Sequence, residues 1–148
     1  MSGAKRERSR QAAREAVSQA GELEAAVPPR GRPQDPFTGE LRRREVLPLL
    51  VLHFISDGPS YGNQLMERIS SMTAGVLAVN PNTMYPLLRA LEGEGLVAGE
   101  WEHPERRSRR FYRITPQGDA ERDRLASEVG PRLERIARSI EAIRSELG

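Results

Sequence analysis

The stretch that decides the fold is Asn-Pro-Asn-Thr-Met-Tyr-Pro-Leu-Leu-Arg-Ala-Leu-Glu-Gly-Glu-Gly, residues 80–95. Met84, Leu87, Leu88 and Leu91 recur at helical spacing and form a core stripe. Asn82, Tyr85, Pro86 and Arg89 fall together on the opposite side of that helix. A tyrosine, an amide and an arginine on one exposed face can contact phosphates and base edges. Taken alone, such a face reads as solvated surface; the segments on either side change that reading. Asn80 is a candidate cap with Pro81 at the first helical position. Pro86 argues instead for a start nearer Asn82 or Thr83, because a missing N–H is harmless only in the first turn.

Upstream lies a helical hairpin. Residues 41–56 read as a buried helix whose core is Val46, Leu47, Leu50, Val51, Phe54 and Ile55. Pro48 is awkward within it unless the helix starts close by. Arg42, Arg43 and Arg44 at its N-terminus oppose the helix dipole and read either as a solvated run or as phosphate ligands. Asp57-Gly58-Pro59-Ser60 is a turn, with Ser60 as the expected cap of a second helix over residues 61–72. Its inner stripe is Tyr61, Leu65, Ile69 and Met72. The short apolar run 76–79 suggests a small strand.

Downstream, Gly93 and Gly95 end the central helix, and residues 96–102 and 109–115 read as two strands. The hairpin between them carries Arg106, Arg107, Arg109 and Arg110 within five residues. A charge run is usually a solvated face; one mounted on a hairpin directly after a helical hairpin suits the nucleic-acid backbone. Thr115 and Pro116 then cap and start a last helix reaching Leu147. Ala126, Val129, Leu133, Ile136, Ile140, Ile143 and Leu147 keep a three-and-four spacing, a heptad stripe that predicts a partner helix and hence a dimer. Gly130-Pro131 is expected to kink or split this helix.

The chain divides into an arm and linker (1–40), a folded unit (41–115) and the last helix (116–148). In the arm, Lys5, Arg6, Arg8, Arg10 and Arg14 face one acid, Glu7, and an alanine-rich helix is expected from residue 4 to 26. A disordered tail and a basic arm adding nonspecific DNA affinity both fit it. Residues 27–38 hold four prolines and a glycine and read as a linker. Charged residues make up 30% of the 148 and hydrophobic ones 37%, so a modest core lies under a charged surface.

Net charge is only +2 although the isoelectric point is near 9.5, so the placement of charge matters more than its sum. Lys5 is the one lysine; the arginine bias suits bidentate phosphate and guanine contacts or reflects a GC-rich genome. The chain lacks cysteine, which excludes disulfides, thiolate zinc sites and cysteine nucleophiles and fits a reducing cytoplasm. The longest apolar run, 46–55, is too short to cross a bilayer, and the basic N-terminus lacks the apolar region of a secretory signal. His53 and His103 are the two histidines; His53 on an apolar helix reads as a core histidine, and two isolated histidines make no metal site. Neither paired carboxylates nor a phosphate-cradling glycine loop is found, so an enzyme is not expected, nor is a cofactor. Trp101 reads as a core aromatic or as the wall of a ligand pocket.

Three helices, a hairpin wing and a dimerising helix make a mainly α, α+β winged helix-turn-helix. In detail the chain resembles the PadR family of bacterial transcriptional regulators. The matching residues are Leu47-Pro48-Leu49-Leu50-Val51-Leu52, Gly58-Pro59-Ser60-Tyr61-Gly62, the run from Asn82 through Glu92, Glu94-Gly95-Leu96-Val97, and Arg110-Phe111-Tyr112-Arg113-Ile114-Thr115-Pro116-Gln117-Gly118. The likeness spans residues 41–147 and leaves out the arm. It implies a homodimer that binds a palindromic operator on double-stranded DNA and usually represses; a cytoplasmic location is expected. It implies Asn82, Thr83, Tyr85 and Arg89 at the DNA, with Tyr61 on the backbone. The position of Asn63 departs from the family, which often has an aromatic there. Members with such tails respond to varied small molecules, often hydrophobic, bound at or near the dimer interface. The competing reading is a winged-helix protein-interaction module that does not bind DNA, which would have no need of the wing arginines.

Overall fold

In the computed structural model, residues 42–105 and 109–148 are described. The arm, the linker, Leu41, Arg106, Arg107 and Ser108 lie outside them. The elements run α1 Arg43–Ser56, β1 Ser60–Tyr61, α2 Gly62–Met72, α3 Pro81–Gly93, β2 Val97–Trp101, β3 Arg110–Ile114 and α4 Pro116–Leu147. The strands form one antiparallel sheet in the order β1-β3-β2. The mainly α fold with its wing is thus present, with a third, two-residue strand that the periodicity did not reveal.

Helix α1 starts where Glu45 folds back to accept the Arg42 backbone N–H at 3.2 Å. The same carboxylate accepts from Arg132 of α4 at 2.8 Å, so an acid in the first turn offsets the arginine run at the positive end of the helix dipole. Pro48 sits inside α1 and is buried, where its ring packs in exchange for one missing backbone bond.

The expected Ser60 cap is corrected. Ser60 and Tyr61 pair with Tyr112 and Phe111 of β3, and the Ser60 hydroxyl donates to the Gly58 carbonyl at 3.0 Å. Helix α2 therefore begins later, with the Gln64 side chain accepting the Tyr61 N–H at 3.0 Å. Leu65 and Ile69 are buried as expected, but Met72 is 53% exposed at the helix end. The expected strand over 76–79 is absent; the chain turns through Ala74 and Gly75, both at positive φ, and the Thr73 hydroxyl accepts the Leu77 N–H at 3.0 Å. With no neighbouring strand to pair, Val76 points outward, Val79 is buried in the core and Leu77 packs against it while partly exposed.

Helix α3 does begin at Pro81, with the Asn80 side chain accepting the Thr83 N–H at 3.1 Å. Pro86 lies within it; the carbonyl four residues earlier belongs to exposed Asn82, where losing a donor costs less than in a buried turn. At the other end Gly95 takes a φ of 76°, and the Leu96 N–H closes back on the Leu91 carbonyl at 3.0 Å. Met84, Leu87, Leu88 and Leu91 are at most 1% exposed, in one cluster with Leu47, Leu52 and Ile55 of α1 and Leu65 of α2. His53, expected in the core, is exposed on α1 and lies 3.3 Å from an Arg122 nitrogen of α4.

Helix α4 starts as read: the Thr115 hydroxyl oxygen accepts the Gly118 N–H at 3.0 Å while reaching the Gly95 carbonyl at 2.7 Å. Gly118 is pressed against the wing base, where a Cβ would run into the Leu96 carbonyl oxygen. The core crosses the expected boundary at residue 115, because Leu125 belongs to the central cluster and Val129 is 1% exposed. The helix is not split at Gly130-Pro131 but continues over 32 residues. Val129 and the Arg132–Glu45 pair hold both sides of that dipeptide, which offsets the bond lost at Pro131.

Two glycines of α4 should respond oppositely to a methyl group. Gly118→Ala forces backbone apart at the wing base and should cost about 1–3 kcal/mol. Gly130 has open space around it, so Gly130→Ala should gain up to about 1 kcal/mol from helix propensity. Urea denaturation of the two variants checks this; similar midpoints for both would contradict the close approach at Gly118.

Candidate nucleic-acid interface

The exposed side of α3 presents Asn82, Tyr85 and Arg89, as its periodicity requires. Among the described residues, neither Asn82 nor Arg89 is engaged in an ion pair or a side-chain hydrogen bond. Thr83 is placed differently from the expectation: it is 2% exposed and faces inward beside Met84, so it offers its side chain to the fold and not to a groove. Tyr85 is 39% exposed, and its ring lies over Gly62 at the start of α2. A Cβ on Gly62 would come 2.7 Å from that ring, which is why a glycine follows Tyr61. Asn63, the departure from the family pattern, is exposed, so it has no packing role that an aromatic would be needed to fill.

Tyr61 joins this face to the wing. Its ring meets Phe111 edge-on with centroids 6.2 Å apart, and the Arg109 guanidinium lies 4.2 Å from its centroid. Tyr85, Gly62, Tyr61 and Arg109 thus follow one another across α3, the start of α2 and the wing.

The four wing arginines divide into groups. Arg106 and Arg107 lie outside the described residues. Arg109 forms a two-point pair with Glu102 at 3.0 and 3.1 Å. Its fork holds the Glu102 carboxyl below the usual carboxylate range, and the Tyr61 hydroxyl adds to that. That same carboxylate, as hydrogen-bond partner, pushes the Tyr61 phenol up.

Arg110 turns inward, against the expectation that it faces DNA. It pairs with Glu92 of α3, reaches the Gly99 carbonyl at 3.3 Å and lies over the Trp101 ring at 5.4 Å. Glu92 also accepts the Gly99 N–H at 3.2 Å, so the pair ties α3 to the sheet. Trp101 is accordingly a half-buried support for Arg110. Burial pushes the Tyr112 hydroxyl up on the core side of the same strand.

Glu92, Glu102 and Gly62 were not singled out by sequence reading. For Glu102 the signal was present: strands read over 96–102 and 109–115 place Glu102 and Arg109 at the two facing ends of the hairpin, and the register agrees, with Trp101 opposite Arg110. For Glu92 no local signal existed, since its partner is set by how α3 packs on the sheet.

The last helix carries the second surface. Leu133, Ile140, Ile143 and Leu147 are 43–84% exposed, and Ile136 is half-buried. Val129, counted with them on periodicity, is instead used within the chain against its own domain. Among the described residues no three His, Asp or Glu side chains are placed to hold a metal ion, and no helix is long and apolar enough to cross a membrane.

The model of the transcriptional regulator PadR-like family matches residues 51–124, half of the chain. The transcriptional regulator Rv3488 of Mycobacterium tuberculosis is 35% identical over 98 residues, which cover 66% of this chain and 85% of that protein. A crystal structure of a PadR family transcriptional regulator from Eggerthella lenta superposes with a TM-score of 0.55 at 29% identity, covering 67% of this chain and 85% of that one. A transcriptional regulator from Clostridium thermocellum shares the fold, with a TM-score of 0.58 at 24% identity over 64% of this chain and 93% of the other. By its family model and these relatives, the chain belongs to the PadR-like family of transcriptional regulators, which are DNA-binding proteins and not enzymes.

Proposed function

We propose that this protein is a cytoplasmic homodimeric repressor that reads a palindromic operator with α3 and grips the backbone with Tyr61 and the wing. The observation that carries this reading is the continuous polar face from Asn82, Tyr85 and Arg89 through Gly62 to Tyr61 and Arg109. A helix in the major groove with a flanking basic hairpin is the arrangement such a face suits. Pairing of Arg109 and Arg110 within the fold favours the competing interaction-module reading, because it lowers the charge available to DNA. Membership of a regulator family weighs against it.

The second copy is assigned to α4. Beyond Arg132 its apolar stripe lies past its contacts with α1, so Leu133, Ile140, Ile143 and Leu147 remain to be covered. A heptad seam between two such helices is a low-cost way to bury them. That seam is also where a hydrophobic effector would enter and shift the spacing of the two reading heads.

Genome-wide mapping of bound DNA supplies the operator, which should contain inverted half-sites about one helical turn apart. On it, Arg89→Ala and Asn82→Ala should each lose about 1–3 kcal/mol and relax preference at one base position. Equal losses on operator and on random duplex would mean that these side chains touch only phosphate.

For the seam, Ile140→Asp combined with Ile143→Asp would bury charge between the helices at a cost of several kcal/mol. Both positions are about half exposed in the single chain, so its own fold should survive. Sedimentation at micromolar concentration should show a folded monomer; a persistent dimer moves the interface elsewhere. At the wing tip, alanine at Arg106 and Arg107 should weaken operator and random binding together, reducing the salt slope by about one for each phosphate no longer engaged. A greater loss on A·T-rich flanks would place the tip in the minor groove. Unchanged affinity and slope would remove the wing tip from the interface.

A further inference from the structure

The two acid-paired wing arginines are held in different ways. Arg110 and Glu92 are each 32% exposed, and backbone groups of Gly99 bond to both. Their pair is a fastening between α3 and β2. Arg109 and Glu102 sit one position beyond the last paired residues of the hairpin, Trp101 and Arg110. There the Arg109 side chain is 55% exposed, and its fork is filled by both Glu102 oxygens. The tyrosine ring beneath supports the guanidinium plane, leaving the fork's geometry fixed while its partner is open to exchange.

A carboxylate and a phosphate offer an arginine fork the same two-oxygen geometry. We propose that Glu102 is an intramolecular competitor with DNA phosphate for Arg109, and so holds down the protein's sequence-independent affinity for duplex DNA. The proposal rests on the DNA-binding reading of this face. Its logic is one of competition: a phosphate reaching Arg109 must displace Glu102 and leave that carboxylate unpaired beside a polyanion. The depressed pKa of Glu102, caused first by the Arg109 bond, keeps the competitor charged across the physiological range. A regulator surrounded by a vast excess of random sequence benefits from a weaker backbone grip.

The test uses the full-length protein and a 30-base-pair random-sequence duplex across a salt series, with Glu102→Gln made in the natural chain and in an Arg109→Gln background. Glutamine keeps the shape of Glu102 and can still accept from Tyr61. In the natural chain Glu102→Gln should tighten binding roughly two- to fivefold per protomer at low salt, the range of an exposed ion pair. The salt slope should steepen by about 0.9 per protomer as one phosphate contact is added. In the Arg109→Gln background only the general repulsion from Glu102 is relieved, so the tightening should be clearly smaller and the slope should not steepen by a phosphate contact, because the contested group is gone. Equal tightening in both backgrounds would mean that Glu102 merely repels DNA, which overturns the competition and leaves the DNA-binding reading standing. No tightening in either background would show that Arg109 does not reach phosphate, which likewise overturns the competition alone. Absence of duplex binding by every variant at low salt would overturn both readings together.

Discussion

The pairing of Ser60 and Tyr61 with β3 is the constraint on which the remaining geometry depends. Two residues of strand are enough to fix where α2 begins relative to the wing. With that settled, Gly62 falls beneath Tyr85, and Tyr61 falls between Phe111 and Arg109. This third strand joins the helical hairpin to the wing alongside the core and the Arg110–Glu92 pair, which ties α3 to the sheet. The few backbone hydrogen bonds involved matter for orientation more than for stability, since each is worth only about 1 kcal/mol net.

Electrostatics at this face are governed by pairing, not by the count of arginines. Four arginines within five residues look like a strongly basic tip, yet one is fastened to α3 and another is held by Glu102. Exposed pairs of this kind add little to stability. Their importance lies in which cations remain available to an incoming polyanion. A net charge of +2 conceals this arrangement, because acids and bases nearly balance over the whole chain while being placed unevenly on its surface.

Helix α4 serves two neighbours in turn. Its first half completes the core of the DNA-binding unit through Gly118, Leu125 and Val129. The Arg132–Glu45 pair then ties it to the start of α1. Beyond that point it leaves the domain with its apolar stripe uncovered. The pair gives the tail a direct connection to the start of α1.

The sequence by itself determined the elements whose signals are local. Thr115-Pro116 marked a helix start because capping involves only the next few residues, whereas Asn80-Pro81 competed with a start near Asn82 or Thr83 until the structure chose it. The stripe Met84, Leu87, Leu88, Leu91 marked the buried face of α3, because helical periodicity fixes which side chains share a face. By the same rule, Asn82, Tyr85 and Arg89 were legible as its outer face. The tertiary structure decided everything that depends on a partner distant in sequence. It drew Ser60 and Tyr61 into a strand, left residues 76–79 without one and turned Thr83 inward. It exposed His53 and Met72, gave Arg110 to Glu92, and assigned Val129 to the domain instead of the tail. Periodicity says that a residue is on a given side of its own helix or strand; only packing says what lies across from that side, and therefore whether an arginine there meets a carboxylate or a phosphate.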